Sequence, residues 1–210
     1  MKYEDLLNRV ADLPCFTTRF LAAGGNLPQI RLQLSRWVNS GRLIKLHKGL
    51  YTLSEPFRKI KPEPFSIANS LKSASYVSLQ SALAWYGLIP EFVPVVTSVT
   101  TGRPRLIDTP MGRFDFRHIN KSFFWGYQQI ELMDGQTAFI ARPEKAMLDL
   151  VYLTPGGDKE DFIKELRIQD VEQIDKAVLR EFSERSQIPK LKRAFQNIAR
   201  IIDRGEGVAL

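Results

Sequence analysis

Residues 41–53 read GRLIKLHKGLYTL, and this short stretch decides the fold of the N-terminal part of the chain. Before its tip, apolar residues alternate with Lys45 and His47, which is the period-two pattern of a half-buried strand. Gly49 permits a turn, after which four residues return as a second strand. We therefore expect a hairpin with one buried face, whose tip projects Lys45, His47 and Lys48 into solvent as a cationic finger.

The sequence before the hairpin predicts three short helices. The first spans residues 2–13, and the second starts at a threonine in TTR and ends at the glycine pair 24–25. Asn26 caps the third helix, which runs to Gly41. Helix, helix, glycine turn, helix and basic hairpin is the order of a winged helix-turn-helix, in which the third helix enters the major groove of DNA.

The third predicted helix has two different sides. Its apolar residues fall on the side that must face the other two helices, and most of its polar residues fall on the opposite side. Gln and Arg read adenine and guanine edges, and an exposed leucine can contact a thymine methyl group. An ordinary amphipathic helix shows a similar pattern, but here a basic hairpin follows at the distance of a wing. The DNA-binding candidates are Thr18 at the start of the second helix, Gln29, Arg31, Leu32, Gln33 and Arg36 on the third, and Arg42, Lys45, His47 and Lys48 at the hairpin.

The positive charge of the chain is concentrated near its N-terminus. Residues 1–60 contain ten Lys/Arg against four Asp/Glu, a net +6, whereas residues 61–210 contain twenty against nineteen, a net +1. Concentrated charge of this kind attracts polyanions and gives binding that weakens with salt. The alternative is a basic face that is merely solvated.

Composition excludes several other classes of protein. The single cysteine, Cys15, cannot form an internal disulfide, and two histidines are too few for a common Cys/His zinc site. Apolar runs are too short to cross a bilayer, and the N-terminus does not have the pattern of a signal peptide. Phosphate-binding glycine loops and nucleophile-elbow motifs are absent from the sequence. We expect a cytoplasmic protein that uses no cofactor, metal or catalytic residue.

A composition change marks a domain boundary. Residues 54–64 mix proline with charged residues, as linkers do. We therefore predict a winged helix-turn-helix domain over residues 1–58 and a second domain over residues 59–210.

The second domain is predicted to combine helices with an antiparallel sheet. Two short helices come first, the latter capped by Ser78, and five runs rich in Val, Thr and Phe follow with short turns between them. Helices return at Pro143, and Asp170 with Gln173 is a candidate capping box for a later one. The fold class is α+β, with the helices of this domain concentrated at its C-terminal end.

A nuclease is the alternative function from a different class. Glu144, Lys145 and Asp149 could belong to a magnesium-dependent site, with further carboxylates on the predicted strands at Asp108, Asp115 and Glu131. The structural interpretation is that Glu144 stabilises a helix start and that Lys145 and Asp149 form a surface pair one turn apart. Likewise, the aromatic run FFWGY at residues 123–127 can stack on bases or form core. A regulator that senses a small ligand is a third possibility.

Several stretches together resemble the AbiEi family of antitoxin transcriptional regulators from bacterial type IV toxin–antitoxin systems. They are GRLIKLHKGLYTL, SYVSLQSALAWYGLIPE, VTSVTTGRPR, GRFDFRHI and IARPEKAMLDLVYL, within residues 15–155. The resemblance implies an N-terminal winged helix that represses its own operon through inverted repeats in double-stranded DNA. It places Gln29, Arg31, Arg36, Lys45, His47 and Lys48 at DNA-facing positions.

The same resemblance implies the role of the second domain. RPEKAMLDL marks a C-terminal domain with antitoxin activity against a nucleotidyltransferase-like toxin, and no catalytic role attaches to it. We therefore predict a non-enzymatic repressor and antitoxin that binds DNA as two copies and does not act at a membrane.

Overall fold

A computed structural model describes residues 1–22 and 26–203 of the chain, and it shows a mixed α+β protein. The N-terminal part places three helices against a small sheet whose strands lie in the order β1-β3-β2, all antiparallel. Its elements are α1 (Tyr3–Val10), β1 (Phe16–Thr17), α2 (Thr18–Leu21), α3 (Leu27–Asn39), β2 (Leu43–His47) and β3 (Leu50–Leu53).

The helix starts of this part follow the predicted capping chemistry. The Asn26 side chain accepts a hydrogen bond from the backbone N–H of Gln29 at 3.3 Å, which confirms the predicted start of α3. The Thr17 hydroxyl accepts from the N–H of Phe20 at 3.1 Å and so caps α2. The predicted glycine turn at residues 24–25 lies outside the described residues.

Both faces of the β2–β3 hairpin contribute residues to hydrophobic clusters. Leu43, Tyr51 and Leu53 join a hydrophobic cluster with α1, α2 and α3, which we call the N-terminal cluster. Leu46 and Leu50 join a second cluster, formed with the remaining sheet and helices and called the main cluster. The prediction of a hairpin with one buried face holds for β2, where Lys45 is exposed, but it is wrong for β3, whose four residues are all buried.

The remainder of the chain builds a six-stranded sheet with helices packed against it. The elements are α4 (Pro64–Leu71), β4 (Ser75–Val77), α5 (Leu79–Trp85), β5 (Val95–Thr100), β6 (Arg105–Thr109), β7 (Gly112–His118), β8 (Tyr127–Glu131), β9 (Thr137–Ala141), α6 (Pro143–Leu153), α7 (Glu160–Glu165), α8 (Lys176–Arg185) and α9 (Pro189–Asp203). Short 3-10 turns lie at Glu55–Phe57, Lys121–Phe123, Met133–Gly135 and Val171–Gln173.

The six-stranded sheet is mixed, so the prediction of an antiparallel sheet is right for three of its strand pairs and wrong for two. Its strand order is β6-β7-β5-β4-β9-β8, in which β5 pairs with β7 and β4 pairs with β9 in parallel. The β6–β7 and β8–β9 hairpins are antiparallel, as their short turns predict. The difference arises because β7 inserts between β5 and β6, which are consecutive along the chain. Short connections fix the hairpins but not how the hairpins join the sheet.

Two predicted caps are replaced by other contacts. The helix α8 begins at Lys176 and is capped by Asp175, whose side chain accepts from the N–H groups of Ala177 and Val178. The capping box predicted at Asp170 is therefore wrong. Ser78 does precede α5, but its hydroxyl donates to a carboxylate in the core instead of capping the helix.

The predicted linker is hydrogen-bonded to the second part of the chain. The Gln136 side chain accepts from the backbone N–H of Glu63 at 2.9 Å and donates to the carbonyl oxygen of Lys61 at 2.8 Å. Across the hairpin, the Cys15 thiol lies 3.4 Å from the Ser70 hydroxyl. The boundary between residues 58 and 59 stays a prediction.

Candidate nucleic-acid interface

A groove lies between α2, α3 and the β2–β3 hairpin. Its volume is about 620 Å³. Its lining includes Thr17, Thr18, Arg19, Arg31, Ser35, Lys45, Lys48, Gly49 and Tyr51. Four of these residues are cations, and they come from three separate segments: the start of α2, the middle of α3 and the hairpin.

The hairpin turn is fastened to the start of α2. The backbone N–H of Thr18 donates to the carbonyl oxygen of Gly49 at 2.9 Å, and the Thr18 hydroxyl donates to the same oxygen at 3.4 Å. Gly49 has a φ of +75°, which favours glycine. Thr18, a predicted DNA contact, lines the groove but is only 7% exposed. Its hydroxyl is already hydrogen-bonded to the hairpin turn.

The third helix presents two kinds of surface beside the groove. Arg31 and Ser35 line the groove itself. The predicted base-reading residues Gln29, Leu32 and Arg36 are exposed, and Leu32 keeps 54% of its surface in solvent. Because helix–helix packing leaves these side chains uncovered, they are free to contact a ligand.

Gln33 differs from the other candidates on α3. It is half-buried, and its Oε1 is buried with no hydrogen-bond partner among the described residues. A buried amide oxygen without a partner costs free energy. Gln33 therefore belongs to the edge of the packed face of α3 and not to its exposed side.

Two hairpin candidates lie outside the groove lining. The Arg42 guanidinium stacks over the Tyr3 ring at 4.8 Å, and the Tyr3 hydroxyl donates to the Arg42 carbonyl oxygen at 3.3 Å. This contact directs Arg42 towards α1. His47 is half-buried, and its pKa is lowered by burial and by the nearby cations Arg105, Lys48 and Lys45.

The groove cations have no acidic partner in the part of the chain that the structure describes. Within residues 1–22 and 26–203, no carboxylate lies within ion-pair distance of Arg19, Arg31, Lys45 or Lys48. Four uncompensated cations around one concave surface attract an anionic polymer. Ten candidates were predicted, and of these the groove brings together Thr18, Arg31, Lys45 and Lys48.

Arg19 and Ser35 also line the groove, although neither is among the ten candidates. For Arg19 the signal is its place in TTR, two residues after the cap Thr17, where a helix start suits an anion. For Ser35 the signal is its spacing of one turn after Arg31, which puts both on one side of α3.

The acidic residues of the nuclease hypothesis are engaged in structural contacts. Lys145 and Asp149 form an ion pair with both side chains 0% exposed, so the predicted surface pair is wrong. The Asp149 carboxylate also accepts from the hydroxyls of Ser78 at 2.7 Å and Tyr76 at 3.1 Å, and the Lys145 ammonium lies 3.6 Å from the centre of the Phe123 ring. The pair is buried because α6 lies inside the main cluster, with most of its residues covered.

Three of the other predicted carboxylates, those of Glu144, Asp108 and Asp115, also bond to protein groups. Glu144 is buried and accepts from the backbone N–H of Asp175 at 2.8 Å. Asp108 pairs with Arg113 at 2.6 Å, and Asp115 pairs with Arg117 at 3.6 Å. In the described part of the chain, no group of three or more His, Cys, Asp or Glu residues is placed to hold a metal ion.

The helices of the described residues are not long and apolar enough to cross a bilayer.

Comparison with known protein families gives a match to the N-terminal part of the chain. Residues 4–54 match the model of a family described as "Transcriptional regulator, AbiEi antitoxin", which confirms the predicted resemblance for this segment. That segment contains α1 except its first residue, together with α2, α3 and the hairpin, and therefore the whole groove. No curated protein matches the chain.

A solved structure shares the overall fold. The RV2827C protein from Mycobacterium tuberculosis matches with a TM-score of 0.51 and 14% sequence identity, over 94% of this chain and 78% of that chain. At this identity the match concerns the fold alone, and it supports the mixed α+β architecture.

Proposed function

We propose that the chain is a sequence-specific DNA-binding repressor, because residues 4–54 match the AbiEi family of transcriptional regulators. Residues 1–58 would fold as a winged helix-turn-helix, with α3 entering the major groove and the hairpin acting as the wing. The observation that carries the proposal is the groove itself, where cations from α2, α3 and the hairpin, without an ion-pair partner among the described residues, surround one concave surface.

The proposal divides the candidate residues by their exposure and position. Arg19, Arg31, Lys45 and Lys48 contact backbone phosphates, which position a protein without reading sequence. The exposed residues of α3 contact base edges, with Gln29 suited to adenine, Arg36 to guanine and Leu32 to a thymine methyl group. Gln33, Arg42 and His47 contribute at the margins of the interface, and Thr18 holds the turn.

Two substitutions separate base contacts from phosphate contacts. Arg36→Ala should cost about 1–3 kcal/mol of binding to the specific site and little on unrelated DNA, whereas Lys48→Ala should weaken all duplexes alike. Fluorescence anisotropy with the chain's own upstream region and a scrambled duplex measures both effects. The double variant R180A/K192A is the control, because it removes two exposed cations on α8 and α9. Equal losses of Arg36→Ala on both duplexes would contradict base reading.

We further propose that two copies bind an inverted repeat and repress the chain's own operon. Paired recognition helices would then lie about 34–36 Å apart, one turn of DNA. Footprinting of the upstream region should show two protected half-sites on the same face of the duplex. Protection of a single half-site would contradict the paired arrangement.

The proposed role of residues 59–210 is antitoxin activity within a type IV toxin–antitoxin system, against a nucleotidyltransferase-like toxin. The family description supports an antitoxin in general. In cells whose growth is arrested by a nucleotidyltransferase encoded by an adjacent gene, co-expression of the full chain should restore growth. A fragment lacking residues 59–210 should not restore it. No observation favours a nuclease, since the carboxylates of Asp149, Glu144, Asp108 and Asp115 bond to protein groups, and we propose that the chain is not an enzyme.

A further inference from the structure

Residues 102–105 read GRPR and connect β5 to β6 on the surface of the second sheet. All four residues are exposed, and the first three lie outside regular secondary structure. This segment belongs to the part of the chain beyond the family match, and the proposed function does not use it.

The backbone of this loop is anchored while its arginine side chains are free. Lys72 donates from its ammonium to the Arg103 carbonyl oxygen at 2.8 Å, and the His118 Nδ1 bonds to the Gly102 carbonyl oxygen at 2.9 Å. The Gly102 N–H donates to the Thr100 hydroxyl at 3.1 Å. The loop is thus held by its main chain, which leaves its two guanidinium groups available.

The loop cations differ from their neighbours on the sheet in having no ion-pair partner among the described residues. Arg113 and Arg117 on β7 pair with Asp108 and Asp115. For Arg103 and Arg105, by contrast, the described part of the structure contains no carboxylate within ion-pair distance. Unpaired arginines on an anchored loop indicate an anionic partner.

The loop lies next to the proposed wing. Strand β6, which begins at Arg105, packs against strand β2 of the hairpin. Arg105 is close enough to His47 to act electrostatically on it, together with Lys45 and Lys48. The cationic surface of the groove therefore continues across the hairpin tip onto this loop.

We propose that the Gly102–Arg105 loop enters the minor groove of A·T-rich DNA, beside the major-groove site of α3, an inference that rests on the proposed function. The minor groove of A·T tracts is narrow and strongly negative, and it attracts inserted arginines. Gly102 adds no side chain bulk, and Pro104 has no N–H and a fixed φ, so the segment suits an extended arm. A recognition helix in the major groove combined with an arginine arm in the adjacent minor groove is an established arrangement in DNA-binding proteins.

The test compares charge-matched double variants of the full chain in anisotropy titrations against a duplex of its upstream region. R103A/R105A should lose roughly tenfold to a hundredfold in affinity, and the slope of log affinity against log salt should become shallower. R113A/R117A removes the same charge from paired arginines and should bind as the wild type does. Netropsin, which occupies A·T minor grooves, should weaken the wild type and leave the residual binding of R103A/R105A unchanged.

The outcomes distinguish this inference from the proposed function. If R103A/R105A binds as tightly as the wild type while K45A/K48A loses binding, the loop inference fails and the repressor proposal stands. If R103A/R105A loses affinity but netropsin has no effect on the wild type, the loop contacts phosphates and the minor-groove assignment fails. If the wild type binds no duplex at all, both proposals fail.

Discussion

At the scale of single residues, the least expected feature is a buried ion pair in the second half of the chain. Lys145 and Asp149 are spaced one helical turn apart, which on an exposed helix gives a weak surface pair. In the core, both charged groups lose their hydrogen bonds to water. The hydroxyls of Tyr76 and Ser78 replace part of those bonds for the Asp149 carboxylate. Burial raises the pKa of the Asp149 carboxyl and lowers the pKa of the Lys145 ammonium, with each partner opposing the shift of the other.

Removing one partner of this pair should destabilise the fold strongly. Lys145→Met leaves Asp149 buried without its cation, and we expect a loss of about 3–5 kcal/mol in the free energy of unfolding. Urea denaturation followed by tryptophan fluorescence measures the loss. Arg180→Met is the matched control, since Arg180 pairs with Glu184 at the same spacing on the exposed side of α8, and it should cost less than about 0.5 kcal/mol. A Lys145→Met variant as stable as the control would show that the pair is not a determinant of the fold.

His47 should make stability depend on pH. Its pKa in the folded chain is lowered, first by burial and then by Arg105, Lys48 and Lys45. The unfolded chain therefore binds a proton at a higher pH than the folded chain does, so the free energy of unfolding should fall as pH drops from about 7.5 to about 5.5. His47→Gln should reduce that fall. Urea titrations at both pH values test this, and an equal fall in wild type and His47→Gln would mean that other groups cause it.

At the scale of secondary structure elements, local signals predicted helices well and sheet pairing poorly. The helix α3 follows from its cap at Asn26 and from periodicity within thirteen residues. The strands β1 and β4 have two and three residues, too few to show a period, and the sequence analysis did not predict them. The parallel pairs of the main sheet join strands that are not consecutive along the chain, and no local pattern encodes which strands pair.

The candidate site shows the same division between local and long-range information. Alternation in the hairpin correctly predicts that Lys45 is exposed. The contact of Arg42 with Tyr3 and the electrostatic effect of Arg105 on His47 instead join residues that lie far apart along the chain. Contacts of this kind are set by tertiary packing, so charge and spacing alone could not assign them.

The β2–β3 hairpin is an element whose packing can be tested directly. Leu46 is 2% exposed and packs in the main cluster, and Leu46→Ala should destabilise the chain by about 2–5 kcal/mol. Leu32→Ala is the control, because Leu32 is more than half exposed on α3 and its truncation should change stability by less than about 0.5 kcal/mol. Thermal and urea unfolding of both variants measure the difference. If Leu46→Ala were as stable as Leu32→Ala, the hairpin would not be held by the second part of the chain.

At the scale of the whole molecule, the hairpin is a layer shared by two hydrophobic clusters. One face packs on α1, α2 and α3, and the other packs on the part of the chain that begins at α4. The proposed wing is therefore fixed in orientation by residues far outside the family match. A wing held in this way loses little conformational freedom when it contacts DNA, which lowers the cost of binding.

Because the hairpin packs in both hydrophobic clusters, we expect an isolated fragment of residues 1–58 to be less stable than the full chain. The fragment contains every residue of the groove, but it exposes Leu46 and Leu50, whose burial contributes about 3 kcal/mol or more in the full chain. Urea denaturation followed by circular dichroism should therefore show unfolding at a lower denaturant concentration than for the full chain.

DNA binding by the fragment separates two causes of weakened affinity. If the loop at residues 102–105 were the sole contribution of the second part, the folded fragment would bind as R103A/R105A does. We expect weaker binding than that, because the hairpin has also lost its second packing surface, and conditions that stabilise the fragment, such as lower temperature or an osmolyte, should recover part of the difference. A fragment that unfolds at the same urea concentration as the full chain and matches its affinity would show that the N-terminal cluster alone holds the hairpin.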